Sequence, residues 1–272
     1  MFDGWCALMT LSPGRFCGRG FSEGCEAAEM NIRMRQRRRV AVVLGVVAAL
    51  ALLAVPAGML ANSRTFQLFG EVVPRVDTSE RAVALTFDDG PTPEAAEEVL
   101  SVLRERGVKA TFFVVGEALR QHAEWGRRIA QEGHELGNHT YSHKRMVFKT
   151  PSFIREEVES TDRLIRAAGY QGPVHFRPPY GKKLVLLPYY LSRTDRKTIM
   201  WDVAPDSDPE VARDADKLVA HALSEVRPGS IILLHVMYES GAPSLRAVPG
   251  IVDGLRRQGY EFTTVSELLP KR

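Results

Sequence analysis

From Arg81 onward, short apolar runs of strand length alternate with stretches whose apolar residues recur at helical spacing, and no other feature constrains the fold as strongly. Residues 83–87, 110–115, 174–176, 198–203, 230–235 and 261–265 read as strands, with an edge strand over 69–73 ahead of them. Between them lie helical patterns. One begins at Pro93 with Thr92 as its cap, stops at Gly107, and puts Ala96, Val99, Leu100 and Leu103 on one face. A second covers 125–131 and ends at Gly133. A third is capped by Thr150, opened by Pro151 and ended by Gly169, with Ile154, Val158, Thr161, Leu164 and Ile165 inward. Two more cover 214–226 and about 244–258. Repeated strand–helix units imply parallel strands covered by helices. No Gly-x-Gly-x-x-Gly phosphate loop is present, so an α/β fold with barrel-like closure is expected rather than an open dinucleotide-binding sheet.

The amino terminus differs from the rest. Residues 40–61 carry no charge and follow a cluster formed by Arg33, Arg35, Arg37, Arg38 and Arg39. That length matches the ~20 residues needed to span a bilayer, and the arginines should stay cytoplasmic. One N-terminal transmembrane helix is therefore expected ahead of the barrel, with the catalytic region outside the cytoplasmic membrane. The span is long for a signal core, so an uncleaved anchor is preferred, although Val55-Pro56-Ala57 offers a cleavage site that would make the protein secreted. All three cysteines, Cys6, Cys17 and Cys25, precede this segment, so the exported part has no disulfide framework. The expected organisation is a basic cytoplasmic tail over 1–39, an anchor or signal over 40–61, a linker and edge strand over 62–80, and a catalytic domain over 81–268. Residues 1–29 lack periodicity and read as a tail or as an extension upstream of a start at Met30. The net charge of +3 owes much to the arginine cluster, and the remainder gives no support to a nucleic-acid partner.

Chemistry gathers at strand ends. Asp88 and Asp89 follow the apolar run 82–87 and precede the turn Gly90-Pro91-Thr92-Pro93. Adjacent carboxylates are costly unless a cation shares them. His139 and His143 supply a partner set, one helical turn apart if that segment coils. A carboxylate and two imidazoles can hold a divalent cation with positions left for water, and a second carboxylate beside that water is a candidate base. Arg177 stands in Phe176-Arg177-Pro178-Pro179-Tyr180-Gly181, where the prolines stiffen the strand end. His235 follows Ile231-Ile232-Leu233-Leu234, and an unperturbed pKa of ~6.5 suits a proton donor. His122, His175 and His221 read as structural or exposed, and His134 as packing beneath the histidine pair.

These segments resemble the polysaccharide deacetylase family, also called carbohydrate esterase family four (the NodB-homology domain). Thr86-Phe87-Asp88-Asp89-Gly90, His139-Thr140-Tyr141-Ser142-His143, Arg177-Pro178-Pro179-Tyr180-Gly181 and Leu233-Leu234-His235 occur in the family's order, and the resemblance covers about 80–266. It implies a distorted barrel and hydrolysis of acetyl groups from an N-acetylated sugar polymer. By position it implies that Asp89, His139 and His143 ligate one divalent metal, zinc first, with cobalt or nickel as alternatives. Asp88 would be the base, Arg177 its orienting partner, the Tyr180 N–H an oxyanion donor and His235 the acid. Leu233, with Pro179 and Trp201, would bind substrate.

One segment departs from the family pattern. Trp201-Asp202-Val203-Ala204-Pro205-Asp206-Ser207-Asp208-Pro209 has Ala204 and Ser207 where acids are common and lacks the usual tryptophan at its end. Asp206 is the candidate substitute partner for Arg177. The expected function is N-deacetylation of an N-acetylglucosamine-containing envelope polymer, with peptidoglycan first. The alternatives are a non-catalytic wall-binding anchor that keeps the metal, a xylan-type O-acetyl esterase, and a hydrolase of small cyclic amides.

Overall fold

A computed structural model describes residues 20–270, apart from the side chains of 20–29, 31, 48–50 and 53. Most of the reading of 1–29, including Cys6 and Cys17, lies outside the described residues. The chain divides into two compact units, Met1–Pro56 and Ala57–Arg272. The first is described as helix α1 (Gly20–Asn62), which carries Pro56 inside it and continues to Asn62 within the second unit. Helix therefore forms over 40–61. Among the described residues, however, no helix is long and apolar enough to cross a membrane. The described helix therefore gives the transmembrane expectation no support.

In the second unit the elements follow as β1 (Val72–Val73), β2 (Ala82–Asp88), α2 (Pro93–Glu105), β3 (Thr111–Val114), α3 (Gly116–Gln121), α4 (Ala123–Gln131), β4 (Glu135–Asn138) and α5 (Pro151–Ala167). Then come α6 (Leu186–Arg193), β5 (Thr198–Ile199), α7 (Ala215–Glu225), β6 (Ile231–Leu234), α8 (Ala242–Arg257), β7 (Glu261–Thr263) and α9 (Val265–Leu268). Strand β2 is central. It pairs with β3 through Thr86–Asp88, with β6 through Ala84–Phe87 and with β7 through Ala82–Ala84, all parallel. Strand β3 pairs with β4. Parallel bridges then run from Asn138 to Phe176 and from Phe176 to Thr198, and a further one joins Val203 to Ile232 of β6. The parallel connections thus return to β2 and close a distorted barrel.

Several expected strands shrink. Residues 174–176 contribute the single bridge position Phe176, and 198–203 reduces to Thr198–Ile199 with a separate bridge at Val203. Pro173, Pro178 and Pro179 flank Phe176 and withdraw ladder donors on both sides. The edge strand over 69–73 keeps only Val72–Val73, which pair with β5. The last strand ends at Thr263, because Thr264 and Glu267 form a reciprocal capping box that starts α9.

The helices obey their sequence signals with one exception. Ala96, Val99, Leu100 and Leu103 of α2 are all fully buried. Thr150 accepts a hydrogen bond from the Phe153 N–H as the cap of α5. Thr92 is the N-cap residue of α2 but makes no side-chain cap hydrogen bond; its hydroxyl donates to the Met237 carbonyl at 2.9 Å and ties the β2–α2 loop to the segment after β6. Gly90, in that loop, has φ 74°, and a Cβ there would lie 2.6 Å from the Met237 side chain. The main core, with Leu85, Phe87, Phe112, Leu136, Ile232 and Leu234 among its members, packs the strands against α2, α7 and α8. Asp88, His139, Arg177 and His235 all fall at or just past carboxyl ends of barrel positions, on the face where this architecture gathers its chemistry.

Candidate active site

Asp88 is the last residue of β2, and Asp89 follows it with φ 68°. His139 follows β4 directly. The segment from His139 to His143 does not coil, contrary to the helical-turn expectation: Thr140 (φ 69°) and His143 (φ 53°) occupy the left-handed region, which no α-helix accommodates. Buried Glu157 of α5 accounts for that loop. Its carboxylate accepts from the Tyr141 N–H at 3.0 Å, the Ser142 N–H at 2.8 Å and the Ser142 hydroxyl at 2.6 Å. Asn138 and Thr140 complete the turn by accepting from the N–H groups of Thr140 and His143. The sequence signal for Glu157 is a carboxylate on the apolar face of α5. Tyr180 too is left-handed, at φ 58°. Non-glycine residues held this way cost of order 1–3 kcal/mol each, so the fold concentrates backbone strain around this cleft.

Asp89, His139 and His143 converge: one ligand atom from each lies within 4.8 Å of the others. Asp89 Oδ1 is 3.0 Å from His143 Nε2 and 3.6 Å from His139 Nε2. That oxygen is buried without a hydrogen-bond partner, the condition expected of an anionic ligand atom awaiting a cation. Burial opposes charge on Asp89, yet the contact with His143 and the proximity of His139 outweigh it and hold the carboxyl below its usual range. His139 is the complement. Burial lowers its pKa and favours neutral imidazole, and its Nδ1 lies 2.7 Å from the Arg177 carbonyl. An Nδ1–H donated there leaves the Nε2 lone pair facing Asp89. The residues present therefore fit a divalent cation.

Arg177 is wholly buried behind Asp88. Its guanidinium donates to Asp88 Oδ1 at 2.6 Å, the Thr86 hydroxyl at 2.8 Å, the Met200 carbonyl at 3.0 Å and the Ile199 carbonyl at 3.3 Å. It lies over the Phe113 ring at 4.0 Å, with Trp201 at 5.6 Å. Asp88 Oδ1 is thus occupied, while Oδ2 faces His139 Nε2 at 3.7 Å.

Asp206 corrects the sequence reading. It does not pair with Arg177, whose carboxylate partner is Asp88 itself. Pro205–Ser207 form a short 3-10 turn, and Asp206 Oδ2 accepts from the His235 N–H at 2.6 Å and the Ser244 hydroxyl at 3.2 Å, with His235 Nδ1 at 3.3 Å. Burial disfavours the imidazolium, but Asp206, aided by Asp88 and Asp89, overrides it and pushes the His235 pKa up to about 9.

A cleft of about 630 Å³ is lined by Asp88, Asp89, His139, His143, Tyr180, Trp201, Ser207, Leu233, His235 and Tyr238. Every expected site residue but two lines it. Arg177 stands behind Asp88, and Pro179 is buried beside the cleft without lining it. Tyr238 follows His235 in a stretch with no sequence motif to mark it, and burial together with Asp89 pushes its phenol up to about 12. His134 does not underlie the histidine pair. It precedes β4 at the opposite end of the strand, where its Nδ1 accepts from the Ala110 N–H and its ring meets Phe112.

With this geometry in place, residues 75–198 match the polysaccharide deacetylase family profile. The chain is 35% identical over 201 residues to a chitooligosaccharide deacetylase of Bradyrhizobium sp., covering 69% of this chain and 90% of the relative. The chain belongs to the polysaccharide deacetylase family, carbohydrate esterase family four. This deacetylase is also 30% identical to a peptidoglycan-N-acetylglucosamine deacetylase of Bacillus cereus, over 74% of its own length and 93% of that protein. The crystal structure of a peptidoglycan N-acetylglucosamine deacetylase superposes with a TM-score of 0.67 at 31% identity, over 70% of this chain and 89% of the other. The parallel-stranded α/β architecture of the deacetylase is that of the family, and its candidate metal residues sit at the motifs that carried the resemblance.

Proposed function

We propose that the deacetylase removes N-acetyl groups from an N-acetylglucosamine-containing envelope polymer, peptidoglycan first, outside the cytoplasmic membrane. The observation that carries this reading is the shared cleft: the Asp89–His139–His143 cluster lies beside Asp88, whose charge Arg177 holds, and His235, whose charge Asp206 holds. Peptidoglycan is favoured by the relatives that act on it. The location is favoured by the uncharged stretch 40–61 behind its arginine cluster, read as a membrane anchor.

Asp89, His139 and His143 would hold one divalent metal; the donor set suits zinc, with cobalt or nickel able to replace it. When bound, such a cation supplies Lewis acidity to the acetamide carbonyl and acidity to water at neutral pH. The protein's own groups carry the protons. Asp88, pinned through Oδ1 by Arg177, takes a proton from the attacking water through Oδ2. Carbon–oxygen bond formation puts negative charge on the carbonyl oxygen, and the backbone N–H of Tyr180 serves as its donor. His235, turned by Asp206 so that Nδ1 is engaged, gives its Nε2 proton to the departing nitrogen as the carbon–nitrogen bond breaks. Acetate and a free amine on the polymer result. Leu233 and Trp201 form the wall against which the acetyl group and sugar rest.

The test is acetate release by the purified protein from peptidoglycan, chitin oligomers and acetylated xylan, with and without a chelator. Acetate from peptidoglycan that disappears with chelator is expected. Absence of metal-dependent acetate from all three would favour a wall-binding role, and release from xylan alone would move the substrate to O-esters.

Asp206 adds a pH prediction. The imidazolium of His235 is the reactive form, so activity should fall as pH rises through its raised pKa near 9. Asp206→Asn removes the charge that raises it. The alkaline limb of the kcat/KM profile should then move to lower pH while the acidic limb stays. An unchanged alkaline limb would dissociate His235 from proton donation.

A further inference from the structure

Three stretches of the unit Ala57–Arg272 contain no aspartate or glutamate: 57–70, 139–155 and 179–194. The fold joins them. Met146 bridges Lys183, the Lys183 N–H donates to the Ala61 carbonyl at 3.2 Å, and the buried Lys183 ammonium donates to the Ser63 carbonyl. The Phe69 ring meets Tyr189 edge-on at 5.3 Å. These acid-free stretches also carry exposed apolar side chains. Phe148 is 86% exposed, Phe66 56%, Leu68 50%, Tyr189 49%, Leu186 43% and Phe69 40%. Phe148, Lys149, Ile154 and Leu186 border a shallow groove of about 270 Å³.

Cations are interleaved with these side chains: Arg64, Lys144, Arg145, Lys149, Lys182 and Arg193. Lys149 lies over the Phe153 ring at 5.1 Å and Arg145 over Tyr180 at 5.0 Å, so their stems run along the apolar surface. Exposed aromatic and aliphatic side chains with lysine and arginine among them are complementary to the headgroup region of an anionic bilayer. A soluble polyanion would use the cations but leave Phe148, Leu186 and Phe66 in water. We propose that this face docks on an anionic lipid surface. It adjoins the end of α1 at Ala61–Asn62, and His143 and Tyr180 belong to the same stretches, so docking sets the cleft beside the bilayer.

The test uses the fragment Ala57–Arg272, which lacks the stretch 40–56 and so stands apart from the anchor reading. It is a compact unit with its own core, and it is similar to a solved peptidoglycan deacetylase over 89% of that chain. Cosedimentation is measured with vesicles of phosphatidylcholine alone and mixed with phosphatidylglycerol, and competition is measured with soluble polyglycerol phosphate. Binding to the mixed vesicles is expected. It should weaken about tenfold or more in Phe148→Ser/Leu186→Ser and in Lys144→Gln/Lys149→Gln, with thermal melts by circular dichroism unchanged because all four side chains lie at the surface. Failure to bind mixed vesicles overturns the proposal. So does binding that ignores the apolar substitutions and is displaced by polyglycerol phosphate, which would make the face a site for an anionic polymer.

Discussion

Asp88→Asn is expected to lower kcat by roughly 10²–10⁴-fold, the range that positioned general base catalysis supplies, while the protein keeps its metal. Asparagine preserves the shape and still offers an oxygen to Arg177 at the position now 2.6 Å away. It cannot take a proton from water. His139→Ala should behave differently. It removes the Nε2 that faces both aspartates at 3.6–3.7 Å and leaves Asp89 Oδ1 with His143 alone. Metal content by elemental analysis and activity should then be lost together. Metal loss in the Asp88 variant, with retention in an Asp89→Asn variant, would exchange the roles assigned to the two carboxylates.

Arg177→Met should destabilise the protein by about 3–5 kcal/mol, the usual cost of breaking a buried ion pair by removing one partner. Methionine fills much of the volume beside Phe113, so a cavity is not the main cause. The loss comes from Asp88 and the carbonyls of Ile199 and Met200, which stay buried without the donors that now satisfy them. Chemical denaturation should show the loss, and activity should fall with it because Asp88 is no longer held. Arg177→Lys should not rescue either property, since one ammonium cannot span an aspartate, a hydroxyl and two carbonyls in the plane of a guanidinium. Wild-type stability in Arg177→Met would mean that the buried pair contributes nothing net to the fold.

The legible part of the site was its chemistry. Asp88, Asp89, Arg177 and His235 follow apolar runs of strand length, His139 and His143 stand out by their spacing, and strand ends meet on one face of a parallel barrel. What escaped was how each is supported. The two histidines suggested a helical turn by spacing alone, whereas the loop is shaped by Glu157, which contacts it from a helix that begins only after the loop. Thr92 has the right identity and position for a helix cap, and a carbonyl 145 residues away captures its hydroxyl instead. Asp206 reads from its position as a substitute partner for Arg177, whereas it serves His235.

Local order along the chain therefore determined most of the elements, though not β4, α3 or α6, together with the direction of the strands, since periodicity, glycine stops and proline starts act over a few residues. Tertiary structure alone decided which acid serves which base: Asp88 meets Arg177 across 89 residues, and Asp206 meets His235 across 29. Those pairings depend on where barrel closure brings the loops to rest, and a hydrogen bond selects its partner within tenths of an ångström, far below what residue spacing can specify.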